Sequence, residues 1–358
     1  MRLLTIDDVR AACLGGGVLA AGGGGWLEHG LKNGETAVRL GRPMLADIDE
    51  IADDGIIVTV TAIGAPASPD WQMYPRDYIK ALELLIKELG KPVAGVMTAQ
   101  NGYSTSINGW LQSAMLGMPV IDAAGDIRAH PTGNMGSMGL TSLPGYQTIQ
   151  VVVGGNRDLG GYLEVVAKGD VTRTSHILRM ASIQSGGFIA SARNPVSASY
   201  VKQHAALGAI SIAINLGNAM LDAEPRGGAA VIDAICMSLT GRVLGQGKIT
   251  QATLETRGSY DRARYVIDGG GEPLTVYVLN EHMAVDQGDR RVSTFPDVIA
   301  LLDLATGRPV PVEATAAGIE VAVLAVDRSV LPLASGVTDP AVYPEVEAEM
   351  GIALAQYL

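Results

Sequence analysis

The sequence predicts an α/β N-terminal domain with a parallel sheet core, followed by a mainly β C-terminal domain with some helices, so that the whole is α+β. Three observations carry this. The stretch 91–131 alternates an apolar run (KPVAGVMTAQ), a polar loop (NGYSTSIN), a helix candidate (GWLQSAMLGM), a second apolar run and a second polar loop (PVIDAAGDIRAHP). Residues 56–62 (IIVTVTA) form a β-branched run that leads into a strongly periodic helix pattern. From Arg242 onward the pattern changes to short alternating runs separated by Gly turns.

Taken in order, Thr5 with Asp7 and Asp8 reads as a helix start, an N-cap with acid in the first turn. That helix is expected to stop at Gly15-Gly16-Gly17. A second glycine run, 22–25, precedes Trp26. Its amides could converge on an anion or a carbonyl, or the glycines could serve close helix–helix approach. The run follows a helix rather than a strand and does not fit GxGxxG, so no nucleotide is expected.

The strand at 56–62 exits through a turn, Ile63-Gly64-Ala65-Pro66. In the helix at 75–89, Tyr78, Ile79, Leu82, Leu85, Ile86 and Leu89 share one face, and Gly90 is its stop. With the two runs of 91–131 this makes strand, helix, strand, helix, strand. In such sheets ligands sit beyond the carboxyl ends of the strands. The two loops beginning after Ala99 and Ile121 should therefore emerge side by side at one rim. Residues 133–144 (GNMGSMGLTSLP) read as a mobile or ligand-covering loop. Strands are expected at 147–153 and 162–167, and helices around 171–184, 195–221 and 228–239. The domains divide as 1–168 and 169–358. The second contains the helical segment, the β-rich part and a helical tail from Pro344.

Composition narrows the function. The chain has 358 residues, 47% hydrophobic and 18% charged, with net charge −11. Phosphate-backbone binding needs clustered Lys and Arg, so a nucleic-acid partner is not expected. Cys13 and Cys236 are far apart and read as reduced buried thiols. The longest mainly apolar stretch, 203–221, holds Asn215, Asn218 and several Gly, which suits a buried helix better than a membrane span. A cytoplasmic protein follows. The Gly-rich, weakly charged surface is compatible with homo-oligomers.

The polar residues at the predicted rim are the functional candidates. Gln100 and Asn101 follow the first strand of 91–131; Asp122, Asp126, Arg128 and His130 follow the second. Asp122 could cap the next turn or orient water. Arg128 could pair on the surface or clamp a carboxylate-bearing ligand. His130 is a general acid–base or ligand candidate, and a divalent metal could assemble only from separate segments, because no histidines pair as HxH, HxxH or HxxxH. Asn280, Glu281 and His282 interrupt a good strand pattern. They read either as a bulge or strand end, or as groups reaching the first domain across a cleft. No GxSxG and no cysteine nucleophile motif occurs.

These residues together resemble the S-methyl thiohydantoin desulfurase-like family. The resemblance rests on Leu14-Gly15-Gly16-Gly17 with the run 22–25, and on Gly117-Met118-Pro119-Val120-Ile121-Asp122. It continues through Gly125, Arg128-Ala129 and Pro131, then Asn280-Glu281-His282-Met283-Ala284-Val285. It ends with Pro296-Asp297-Val298-Ile299-Ala300-Leu301-Leu302-Asp303 and Gly307. It implies two domains, an association with hydantoinase or oxoprolinase-type enzymes, and hydrolysis of thiohydantoin-like rings. The family's Glu-x-Gly-Gly-x-Asn loop carries Gln100 at the Glu position and Thr105 at the Asn position here. Ala124 and Thr132 replace two further acids. On this reading Asp122 or Asp126 would orient water and a ring N–H, and His130 would move the proton. Amides of Gly23, Gly24 and Gly25 would stabilise the oxyanion, and Gln100, Asn101, Arg128, Asn280 and Glu281 would bind the ring. The missing carboxylates favour an alternative, a non-catalytic ligand-binding or assembly subunit for such an enzyme.

Overall fold

The computed structural model describes residues 1–65, 67–258 and 260–358, so Pro66 of the predicted turn lies outside the described residues. The chain opens with β1 (Arg2–Leu3) and α1 (Ile6–Leu19). Thr5 caps α1 reciprocally: its hydroxyl accepts from the Asp8 amide, and the Asp8 carboxylate accepts from the Thr5 amide. There follow α2 (Leu27–Leu40), β2 (Met44–Ala46), β3 (Ile56–Gly64), α3 (Pro75–Leu89), β4 (Gly95–Thr98), α4 (Trp110–Leu116) and β5 (Val120–Ala124). β3, β4 and β5 run parallel in adjacent positions, and β2 extends the parallel set beyond β5. This is the predicted α/β unit. α3 buries Tyr78, Leu82 and Leu85, the two leucines against Val58, Val60 and Val96, and Gly90 ends it in the left-handed region at φ 66°.

The middle of the chain supplies β6 (Thr148–Gly154), β7 (Leu163–Gly169), α5 (Val171–Gln184), β8 (Phe188–Ser197), α6 (Ala198–His204), β9 (Ala206–Leu207), α7 (Ala209–Ala223) and α8 (Gly228–Leu239). β8 enters the first sheet antiparallel between β3 and β6, giving the order β1-β2-β5-β4-β3-β8-β6-β7 with β9 on β5. The helix expected at 195–221 is thus a strand end followed by two helices. Pro195 is tolerated in the strand because the β3–β8 register shifts between Ile57 and Thr59. The missing N–H of Pro195 falls in that bulge, beside Asn194 at φ 54°.

α1 also runs past its expected stop. A Cβ on Gly15 would lie 2.0 Å from the Ala213 carbonyl oxygen, and one on Gly217 would lie 1.9 Å from that of Ala11. Gly15 is therefore a contact of α1 with α7, while Gly16 and Gly17 press against Gly102, Tyr103 and Ser106, and the run does not terminate the helix. The loop at 133–144 is packed rather than open, with Met135 and Met138 fully buried.

The remaining strands are β10 (Arg242–Arg257), β11 (Tyr260–Asp268), β12 (Leu274–Leu279), β13 (Glu281–Gln287), β14 (Arg290–Thr294), β15 (Val298–Asp303) and β16 (Glu320–Val326), with α9 (Tyr343–Met350) as the tail. They form a second, wholly antiparallel sheet in the order β14-β13-β12-β11-β10-β16-β15. The pattern that looked like one interrupted strand is two, reversing at Asn280 in the left-handed conformation (φ 60°). α1, α7 and α8 pack Leu14, Val18, Leu216 and Ile235 against Val298, Ala300 and Leu324 of the second sheet. α1 also packs Val9 and Ala12 toward Val120 and Ala190 of the first, so a helical layer lies between the sheets. Cys13 and Cys236 are free, the first buried and the second half-buried. Among the described residues no helix is long and apolar enough to cross a membrane.

Candidate functional site

The loops after β4 and β5 are zipped together by their backbones. The Gly125 amide donates to the Thr98 carbonyl (3.1 Å) and the Asp126 amide to that of Ala99 (3.0 Å). The His130 amide then donates to the Gln100 side chain (3.3 Å). The second glycine run closes over them. The amide of Ser104 donates to the Gly24 carbonyl, and the amides of His282 and Val312 donate to the carbonyls of Ala21 and Gly22. A Cβ on Gly23 would meet the Glu281 carboxylate at 2.5 Å, and one on Gly24 would meet the Gly102 Cα at 2.5 Å. These glycines thus allow three segments to touch: the loop at 101–105, the run itself and the β12–β13 reversal.

Between these segments lies a cleft of about 530 Å³, counting its open mouth. Gly24, Gly25, Gln100, His130, Asn280 and Glu281 of the expected residues line it. So do Thr61, Thr105, Thr132, Phe188, Arg179 and Arg193. Gln100 and Thr132 occupy positions where the resemblance implies carboxylates, and both line the cleft with neutral side chains.

Glu281 is buried, and one of its oxygens, Oε2, has no hydrogen-bond partner among the described residues. Loss of water pushes its carboxyl up to about 8, against the pull of the Arg128 and Arg179 charges and with help from Asp261. His130 is pushed down to about 3, first by burial and then by the charge of Arg193, so its ring is neutral. Its Nε2 lies 3.4 Å from the Ala99 carbonyl, and Nδ1 has no partner among the described residues. Asn280 is held by its side-chain oxygen, which accepts from the Asp261 amide at 2.8 Å.

Arg193 stands in the middle of β8, opposite Thr59 of β3 and Gln150 of β6. It is 4% exposed, and its Nε has no hydrogen-bond partner among the described residues. Burial and the like charge of Arg179 bring it down to about 10, so it remains charged at neutral pH. Arg179, on α5, donates to the Pro131 carbonyl (2.6 Å) and lies over the Tyr260 ring.

Five expected site residues do not line this cleft: Gly23, which packs against Glu281, and four polar side chains. Asp122 caps α7: one oxygen accepts from the amides of Ile210 (2.9 Å) and Ser211 (3.0 Å), and the other accepts from the Ser211 hydroxyl. Asp126 is buried, accepts from the Ala334 amide at 3.2 Å, and is raised to about 7 by burial. Arg128 is fully buried and donates to the carbonyls of Ala129, His282 and Asp297, with its guanidinium 4.7 Å from the centre of the Phe295 ring. Asn101 donates to the carbonyls of Ile127 and Ala209 and accepts from Ser106. These side chains tie the loops to α7 and to the second sheet. Among the described residues no group of three or more His, Cys, Asp or Glu is placed to hold a metal ion.

Arg193 and Arg179 were not among the expected site residues. For Arg193 a signal existed: FIASARNPVS places a cation inside a run of small and apolar residues, but Pro195 pointed toward a helix start. Arg179 sits in a periodic helix pattern, where an arginine is ordinary.

Residues 7–158 match the family model described as S-Me-THD-like, N-terminal domain, and residues 169–331 match S-Me-THD-like, C-terminal domain. A crystal structure of a protein from Chromobacterium violaceum matches with a TM-score of 0.72, covering 98% of this chain and 97% of that one. At 21% identity that likeness is one of fold. A search of the curated proteins returns no match. The two domain models follow one another along nearly the whole chain, and the protein belongs to the S-Me-THD-like family.

Proposed function

We propose that the protein is a hydrolase acting on a small cyclic amide of the hydantoin or thiohydantoin type, with the cleft as its active site. The observation that carries this reading is the Glu281 carboxyl. It is buried in the cleft wall, has one oxygen without a partner among the described residues, and sits at about 8. A carboxyl balanced near the working pH can take a proton when ionised and return it when neutral. Water would add to a ring carbonyl carbon while its proton passes to Glu281. Collapse of the tetrahedral intermediate would break the ring C–N bond, and the same proton would go to the departing nitrogen. Arg193 lines the same cleft and would face the charge that develops on the former carbonyl oxygen. His130, neutral at this pH, would orient the ring through a hydrogen bond rather than carry the proton. Family membership supports a thiohydantoin-related role, and the size of the cleft suits a small ring.

A second reading is a binding or assembly subunit serving a hydantoinase or oxoprolinase-type partner. It draws on Gln100 and Thr132, which present neutral groups to the cleft. Assay against hydantoins and thiohydantoins, with and without divalent metals, separates the two. Turnover that falls about 10²–10⁴-fold in Glu281→Gln is expected for the hydrolase. Ring-induced thermal stabilisation without turnover, together with co-purification of such a partner, would give way to the second reading. No turnover and no stabilisation would sink both.

A further inference from the structure

We infer that the cleft takes its ring ligand as the conjugate-base anion, an imidate or thioimidate, and that Arg193 is the residue that recognises the charge. The inference rests on the hydantoin reading above and narrows it to one ionisation state of the ligand.

Two buried arginines differ in what surrounds them. Arg128 donates to three carbonyls, and its guanidinium is covered by a phenylalanine ring. Arg193 is also removed from water, yet its Nε has no partner among the described residues, and the charge acting on it is the like charge of Arg179. A guanidinium has only donors and does not lose its proton under ordinary conditions. Buried without an acceptor, it is a costly arrangement unless a ligand supplies one. Its backbone is fixed in the middle of the sheet, and Nη1 sits where a Cβ on Gly133 would lie only 2.7 Å away, so the guanidinium abuts the Gly133 backbone.

Glu281 does not satisfy Arg193. No ion pair joins them among the described residues, and burial disfavours the charged form of that carboxyl. A ligand bearing a single negative charge would satisfy Arg193 on arrival, and the neutral Glu281 would pass its proton to the ring, which restores a neutral ring carbonyl and leaves Glu281 as the ionised base that takes the proton from water.

Ring chemistry matches this demand. The N–H between the two carbonyls of a hydantoin is acidic, and more so when one of them is a thiocarbonyl. Its anion spreads the charge over coplanar nitrogen and oxygen or sulfur atoms, which suits the planar fork of a guanidinium. A carboxylate on a ring substituent would present the same planar acceptor pair, so the test must tell the two apart.

The experiment is calorimetric titration of the full-length protein with hydantoin, 2-thiohydantoin, and the N1-methyl and N3-methyl isomers of each. The methyl isomers have equal bulk, but only the N1-methyl ring keeps the acidic imide N–H. The expected result is that the N3-methyl rings bind about ten- to a hundredfold more weakly than the N1-methyl rings. Thiohydantoin should bind more tightly than hydantoin, and Arg193→Met should erase the difference between isomers while unfolding as cooperatively as wild type. The isomer comparison on the wild-type protein needs no variant. Equal affinity of the two isomers would overturn the inference and leave the hydantoin reading standing. Tight binding of an N3-methyl ring that carries a carboxylate arm, lost in Arg193→Met, would also overturn it. Failure of every ring to bind would overturn the inference and the hydantoin reading together.

Discussion

Two carboxylates stand on strands, one in each sheet, and folding gives them opposite tasks. Asp122, on β5, meets the N-terminus of α7, where two amides and a hydroxyl take up both its oxygens. Glu281, at the start of β13, meets the glycine run and a cleft, and keeps one oxygen free of partners among the described residues. The first is a hydrogen-bonded cap at a helix N-terminus and the second a desolvated acid raised to about 8. A carboxylate's place in a topology diagram does not reveal its chemistry; the groups that reach it after folding do. The same contrast holds for arginines, with Arg128 consumed by carbonyls and Arg193 lining the cleft.

The largest effect should come from Glu281→Gln, which tests the acid half of the comparison. Turnover of a susceptible ring is expected to fall by about 10²–10⁴-fold. Stability should respond to pH as well. Burial raises Glu281 from 4.5 to about 8, so across that window the folded protein holds a proton that the unfolded chain has released. The stabilisation from this group is full below the window and is lost as the pH rises through about 8. Glu281→Gln should therefore flatten the fall of stability with rising pH by about 1.4 kcal/mol per pH unit. Denaturant titrations at several pH values measure the slope, and an unchanged slope would show that Glu281 is not the buried acid described.

Arg128→Met comes next. It leaves carbonyls of Ala129, His282 and Asp297 without their donor and should destabilise the protein by about 3–5 kcal/mol. Arg193→Met removes a buried charge whose Nε has no partner among the described residues and should cost less than about 1 kcal/mol. Urea unfolding of the two variants shows whether the arginines differ in this way; equal losses would mean that Arg193 also has a structural task.

Much of this architecture could be read from the chain because it depends on local signals. Pro75, Gly90 and the apolar face of α3 define that helix on their own, and the β-branched run defines β3. What stayed hidden depends on contacts between distant segments. The glycines at 15–17 signal a helix end in isolation, yet Gly15 serves α7, far along the chain at Ala213 and Gly217. Pro195 argues against a strand until the bulge with β3 is known. The two zipped loops could be foreseen from the parallel unit, whereas the capping of α7 by Asp122 could not, since nothing local says which amides will arrive. Gly217→Ala tests the glycine contact. A methyl group placed 1.9 Å from the Ala11 carbonyl must push α1 and α7 apart, at a cost of about 1–3 kcal/mol. A neutral result in thermal unfolding would show that the two helices can separate freely.

Asp122→Ala is expected to have a small effect and separates the two acids most cleanly. Removing a side-chain cap of this kind costs about 0.5–2 kcal/mol, and here one residue satisfies two amides, so the loss should fall within that range. Ligand affinity and turnover should stay at wild-type levels after correction for the folded fraction, because the carboxylate caps α7 and does not line the cleft. Asp122→Asn, which keeps an oxygen acceptor for the helix, should recover most of the lost stability. If Asp122→Ala instead abolished turnover in a protein that remained folded, the carboxylate would have to reach the ring in some state other than this one. The division between a capping acid and the acid proposed for the reaction would then fall.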